Sequence, residues 1–321
     1  MSIAAYFASL DVLKLTARMP GDMAQGIIWG LMALGVYITF RLLDIADLTV
    51  DGSFTTGGAC TVMLILAGWP AWAALLAALA AGLLAGLVTG LLHTRLGIPA
   101  ILAGILTQFS LWSVNLRIMG GAKGAANKSI SPDQYHLLIS LRSVPRAIAA
   151  GLFIAGIIIA VLYWYFGTEQ GSAIRATGSN PAMSRAQGIN IDAMKVLGLA
   201  ISNALVALAG GLMAQYQGFS DINMGRGSIV IGLAAVIIGE VLCDAVFRKG
   251  SNFAVRLVFI VLGGIIYYLV VGIVLWLKLP SNDLKLFTAV VVAVFLAVPY
   301  LRARSKSSFQ QAGRRGAHTH A

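Results

Sequence analysis

The chain has 321 residues, 59% hydrophobic and only 11% charged, with a mean hydropathy of +0.86; an ordinary soluble domain, in which about a quarter of residues carry charge, is excluded. The net charge of +11 sits mostly beside apolar runs, where Lys and Arg meet lipid headgroups, so membrane lipid is an expected partner and nucleic acid is not. Cys60 and Cys243 both lie in apolar segments and the four histidines lack metal-ligand spacing, so neither a disulfide framework nor a metal site is expected.

Residues 1–25 hold Leu10, Val12, Leu13 and Leu15 beside Lys14 and Arg18, a pattern that suits a surface segment lying in the membrane interface. They lack the basic start and apolar core of a cleavable signal, so the first span is expected to direct insertion. Apolar runs long enough to cross about 30 Å of hydrocarbon then follow at 26–43, 53–69, 72–92, 98–116, 147–166, 196–217, 228–246, 253–274 and 286–301. The expected fold is all-α: a polytopic transmembrane helical bundle of about nine spans filling residues 26–301, followed by a basic tail, 302–321, expected to be disordered. The tail's Arg302, Arg304, Lys306, Arg314 and Arg315 favour a cytoplasmic C-terminus. The loop 119–146 pulls the other way, because Lys123, Lys128, Arg142 and Arg146 then fall on the outer face.

Polar residues are sparse enough to name. The first cluster is Asp44, Asp47, Thr49, Asp51, Ser53, Thr55 and Thr56. Two readings stand. In one, the aspartates sit in a surface loop and cap the next helix together with Ser53. In the other, the helix is broken and its polar backbone lines a pathway. Shifting the chain by 175 residues lays Gly52-Ser53 on Gly227-Ser228 and Gly57 on Gly232. Five spans separate the two copies, which makes this a candidate inverted repeat.

Within the spans lie Gln108, Ser110, Ser113 and Asn115, then Ser202 and Asn203, then Glu240. Gln108 and Asn115 are seven residues apart and share a helix face. These amides either bond one helix to another or line a passage. Glu240 either reaches water or pairs with Arg248 near the cytoplasmic end, or it serves a proton relay. Candidate pathway residues are Asp51, Ser53, Thr55, Gln108, Asn115 and Asn203. No catalytic set is present: there is no phosphate-binding Gly-Lys-Ser/Thr loop and no zinc-type His-Glu-x-x-His, and no cofactor is expected.

The segment 175–191 is polar and interrupts the apolar pattern. Asn180-Pro181 starts a helix, since the missing N–H of Pro costs nothing in the first turn. Gly188 stops it. A helix of about two turns carrying Arg185 is expected, either as an ordinary connection or as a docking element for a soluble partner.

The pattern Arg175-Ala-x-Gly-x-Asn-Pro-x-Met-Ser-x-x-x-Gly-Ile189, with Leu208-Ala-Gly-Gly211 in the next span, resembles the permeases of branched-chain amino-acid and sugar ABC importers. The run from Leu34 to Phe54, with Asp44-Ile-Ala-Asp-Leu-Thr-Val-Asp-Gly-Ser53 inside it, and the run from Gly225 to Glu240 are most similar to the tryptophan/tyrosine-type branch. The resemblance covers roughly residues 26–301. It implies a multi-pass protein of the bacterial inner (plasma) membrane that imports a small solute, an amino acid or related compound. It also implies two permease subunits, here a homodimer, around one pathway, with separate ABC ATPase subunits inside and a periplasmic or lipoprotein substrate-binding protein outside. ATP hydrolysis would then reside in a partner, and this chain would not be an enzyme. The residues matching the family's ATPase-coupling segment are Arg175, Gly178, Asn180, Pro181, Arg185 and Gly188. The rival class is an ion-coupled secondary transporter, which would use Glu240 and an inverted repeat without any ATPase.

Overall fold

The computed structural model describes residues 12–120, 125–131, 134–247 and 252–276, plus four isolated helical positions beyond them. Those four apart, the expected span at 286–301 and the tail at 302–321 lie outside the described residues. In chain order the elements are α1 (Val12–Tyr37), a π-helical turn (Ile38–Leu42), α2 (Thr49–Leu66), α3 (Ala71–Thr94), α4 (Ala100–Gly120), β1 (Asn127–Ser129), α5 (Val144–Gly167), α6 (Glu169–Ser179), α7 (Pro181–Ala186), α8 (Ile191–Gln217), β2 (Phe219–Asp221), α9 (Ser228–Phe247) and α10 (Phe253–Trp276).

Seven helices among the described residues are long and apolar enough to cross a membrane; they lie on α1, α3, α4, α5, α8, α9 and α10. Eight of the nine expected spans coincide with helices. One of these, the span at 53–69, corresponds to α2, which falls outside the seven. Four threonines and an aspartate dilute its apolar content, and almost all of its face is covered by protein. The interfacial segment expected over residues 1–25 is, from Val12 onward, the start of α1, which continues through Pro20 without a break.

The most hydrophobic window of α1 and that of α8 are each 83% buried, against 22% for α4 and α5. α1 and α8 therefore form the centre and α4 and α5 the rim. Gly82, Gly86 and Gly90 make a stripe along α3 that rests directly on the backbone of α8 at Asn203, Leu199 and Val196. Small residues at this spacing let membrane helices approach closely, where dispersion contacts supply the attraction that water cannot.

The two short strands pair antiparallel, with Asn127 opposite Asp221 and Ser129 opposite Phe219. They tie the segment after α4 to the end of α8 and mark one end of the bundle. The other end holds α6, seated against the π-helical turn that closes α1, with α7 beside it.

Two helices begin inside the bundle. Ser53 of α2 bonds Asn203, which stands twelve residues after Ile191 and fourteen before Gln217 in α8. At 1.5 Å per residue this contact is about 20 Å from either end of α8. From there α2 runs alongside α8 toward the β1–β2 end, with Gly57 on Ala207 and Thr61 beside Gly211. α9 starts at the same depth and runs the opposite way, with Gly232 against Met32 and Val36 and Glu240 bonded to Arg41. The polar stretches that share the 175-residue shift thus meet at mid-depth, and the helices after them diverge.

Candidate functional site

The chain reaches mid-depth because α1 ends in an irregular turn. Leu43 N–H donates to Ile38 and Ile45 N–H to Thr39, at 3.0 and 2.9 Å, so the helix widens before it stops. Asp44 follows with φ of 56°, a left-handed conformation that Asp tolerates better than most residues. Residues 43–48 then lead back into the bundle. Asp47 therefore lies buried inside the bundle, where it caps α2, while Asp44 is exposed.

Backbone N–H groups at two helix starts inside the bundle need acceptors. Two aspartates supply these. The Asp47 carboxylate accepts from Thr49 N–H at 2.9 Å and from the Asn203 amide at 2.6 Å. Asn203 in turn accepts from the Ser53 hydroxyl at 2.6 Å. Asp51 reaches across to α9, where its oxygens accept from Gly227 N–H, the Ser228 hydroxyl and Ile229 N–H at 2.9, 2.8 and 3.0 Å. A carboxylate at a helix N-terminus also offsets the positive end of the helix dipole. Thr55 strengthens the junction by accepting from Gly225 N–H at 3.1 Å. The Thr49, Thr89 and Thr107 hydroxyls, linked at 2.8 and 2.9 Å, join α2, α3 and α4 below it.

This junction forms one wall of a cavity of about 440 Å³ lined by Asp51, Gly52, Thr55, Gln108, Phe109, Trp112, Asn115, Ile222, Asn223 and Arg226. Asn115 is 1% exposed, and neither its amide nitrogen nor its oxygen has a hydrogen-bond partner. A buried amide without partners costs about 1–3 kcal/mol per unmade group. Phe109 and Trp112 turn outward on the rim and are largely exposed.

Of the six expected pathway residues, Asp51, Thr55, Gln108 and Asn115 share this cavity. Ser53 and Asn203 do not line it; both are fully buried behind the wall, where Asn203 holds Asp47 and Ser53 holds Asn203. Sequence reading passed over Phe109, Trp112, Asn223 and Arg226. The spacing of Gln108, Trp112 and Asn115 on one helix face was a usable signal for Trp112. Asn223 and Arg226 gave none, since they lie in the irregular turn between β2 and α9.

At the far end, Asn180 caps α7 by accepting from Met183 N–H at 3.0 Å, Pro181 is its first residue, and Gly188 adopts φ of +81° just beyond. Met183 and Arg185 are exposed on α7. Preceding it is a helix the sequence did not suggest, α6, capped by Thr168. Arg175 on α6 donates to the carbonyl of Phe166 at 2.9 Å and lies over the Phe253 ring. Gly178 packs against Leu42. Glu240 pairs with Arg41, whose Nε is 2.9 Å from both carboxylate oxygens; Arg248, the partner considered from sequence, lies outside the described residues. Among the described residues no cluster of three metal-ligating side chains occurs.

A family model described as the permease component of branched-chain amino acid transport systems matches residues 22–299. The tyrosine transport system permease protein of Clostridioides difficile is 39% identical over 293 residues, 89% of this chain and 92% of that protein. An uncharacterized protein of Rickettsia prowazekii is 33% identical, covering 86% of this chain and 95% of that one. An autoinducer 2 import system permease protein of Yersinia pseudotuberculosis is 28% identical over 75% of this chain and 68% of its own length.

Proposed function

This chain belongs to the family of permease components of branched-chain amino acid transport systems, and from that premise we propose how its structure moves a solute. It is a membrane permease of the ABC type. The solute is an amino acid, and the tyrosine-transport relative favours one with an aromatic side chain. The cavity suits such a molecule. Phe109 and Trp112 offer rings for stacking, Arg226 can meet a carboxylate, and the Gln108 and Asn115 amides can meet a hydroxyl or an ammonium group.

The observation that carries the reading is the mid-depth junction. Two helices of opposite direction start at Asp51, beside a cavity that contains a buried amide with no partner. Transporters bind solute where interrupted helices meet near the bilayer midplane. A second copy of the chain, placed against the apolar rim of α4, closes the open side of the cavity. The α6–α7 end faces the cytoplasm of a bacterium and receives ABC ATPase subunits on Met183 and Arg185. The β1–β2 end faces outward and receives a solute from a substrate-binding protein. Pairing of Glu240 with Arg41 leaves that acid committed to a partner, which disfavours the ion-coupled alternative.

Reconstitution with the ATPase and binding protein tests this. Uptake of labelled tyrosine should require ATP. Arg185→Glu should cut ATPase co-purification and uptake together by about tenfold, since losing one well-placed charge contact costs about 1.4 kcal/mol or more. Uptake without any ATPase that collapses with the proton or sodium gradient would overturn the proposal in favour of a secondary transporter.

A further inference from the structure

α7, the docking element proposed above, has two routes to the solute cavity. One runs forward into α8, which follows it in sequence. The other runs backward through α6. The forward joint interrupts the helix: in residues 187–190, Gly188 is left-handed, the N–H groups of Gly188 and Ile189 bond back to Arg185 and Ser184 of α7, and α8 starts afresh at the Asn190 cap.

The backward route runs through packed contacts. Ile174 and Thr177 of α6 are buried, and Gly178 beside them lies directly on the main chain of Leu42 and Leu43. A Cβ added there would fall on the Leu42 carbonyl oxygen. The Leu43 side chain is in turn wedged onto Gly198 of α8. Arg175 anchors α6 a second time, through the Phe166 carbonyl. Four residues after Leu43, Asp47 holds the first N–H of α2 and the Asn203 amide. Four residues further on, Asp51 holds the start of α9. The π-helical turn at Ile38–Leu42 lies within this chain of contacts. Such turns carry an extra residue that can shift register, and they recur at functional sites.

We propose that movement imposed on α7 is transmitted to the solute cavity by the seat of Gly178 on Leu42 and by residues 43–48, and not along α8. Gly178 is a positioning residue: it touches no solute and acts by moving the start of α2, and with it the Asp51 junction. Coupling of this kind is a free energy shared by two sites, so it is read from the effect of one on the other. The proposal rests on the docking reading of α7.

The test uses the whole reconstituted complex. Gly178→Ala should leave the ATPase bound and hydrolysing while uptake per ATP falls by about tenfold. Gly167→Ala, where a side chain meets open space, should change neither. Spin labels at the exposed positions Ala46 and Ser179 should keep their separation between the nucleotide-free and vanadate-trapped states of the otherwise unaltered chain. Labels at Ala46 and Asp192 should change theirs. Normal uptake per ATP in Gly178→Ala overturns the proposal, and so does a 46–179 separation that changes or a 46–192 separation that stays fixed. If Gly178→Ala does not accumulate, the label distances decide alone. Failure of the ATPase to co-purify with the unaltered chain would instead refute the docking reading.

Discussion

Asp51 gathers three donors within 3.0 Å, two of them main-chain N–H groups of a helix that begins 177 positions later. Removing the carboxylate leaves those N–H groups facing a low-dielectric interior. Asp51→Ala should therefore destabilise the protein by about 2–4 kcal/mol, from two unsatisfied donors at about 1–2 kcal/mol each. Asp51→Asn keeps an acceptor and loses the charge that offsets two helix N-termini, so its cost should be smaller, about 1 kcal/mol. Thermal unfolding of the purified variants in detergent checks the order, and equal midpoints would show that the junction contributes little. The polarity of Asp51 was legible in the sequence, because an acid between apolar runs needs a partner. Its partner was not, since Gly227 is 176 residues away and offers a main-chain group that no side-chain pattern announces. The same limit separated Ser53 and Asn203 from the cavity. Both are polar and central, but which side of a wall they face depends on how α2 lies against α8.

At the scale of elements, packing by small residues decides the architecture. The Gly82, Gly86 and Gly90 stripe lets α3 lie on α8 with main chain against main chain. Gly86→Leu should force the helices apart, lower the unfolding temperature sharply and reduce accumulation in the membrane. Leu84→Ala, at an exposed position on the same helix, should stay within about 0.5 kcal/mol of the parent. A Gly86→Leu protein as stable as the Leu84→Ala protein would contradict the packing argument. Long apolar runs made the spanning helices visible from sequence, because length and composition alone determine that signal. α6 escaped notice because Glu169–Ser179 is polar and mixes Gly, Ser and Thr, and its helical form depends on the Thr168 cap and on burial of one face. The three-residue strands are too short for any alternation to show. The mid-depth start of α2 follows from its contact with the centre of α8, which lies outside the reach of local pattern.

Across the whole molecule, the α6–α7 end and the cavity are linked through Gly178 on Leu42, Leu43 on Gly198, and the Asp47 and Asp51 carboxylates. An importer of this design must expose the cavity to one side of the membrane at a time, and ATP must decide which. Asn115 reports this directly, because it is buried in the cavity wall and has no partner to lose. The decisive measurement is therefore thiol labelling of the Asn115→Cys variant, in a chain whose Cys60 and Cys243 are replaced by Ala, within the reconstituted complex. Membrane-impermeant thiol reagents are applied from either side, with and without nucleotide. The account predicts that the introduced thiol is reached from the β1–β2 side in one nucleotide state and from the α6–α7 side in the other, with solute slowing the reaction. Labelling from a single side at one rate in both states would contradict it.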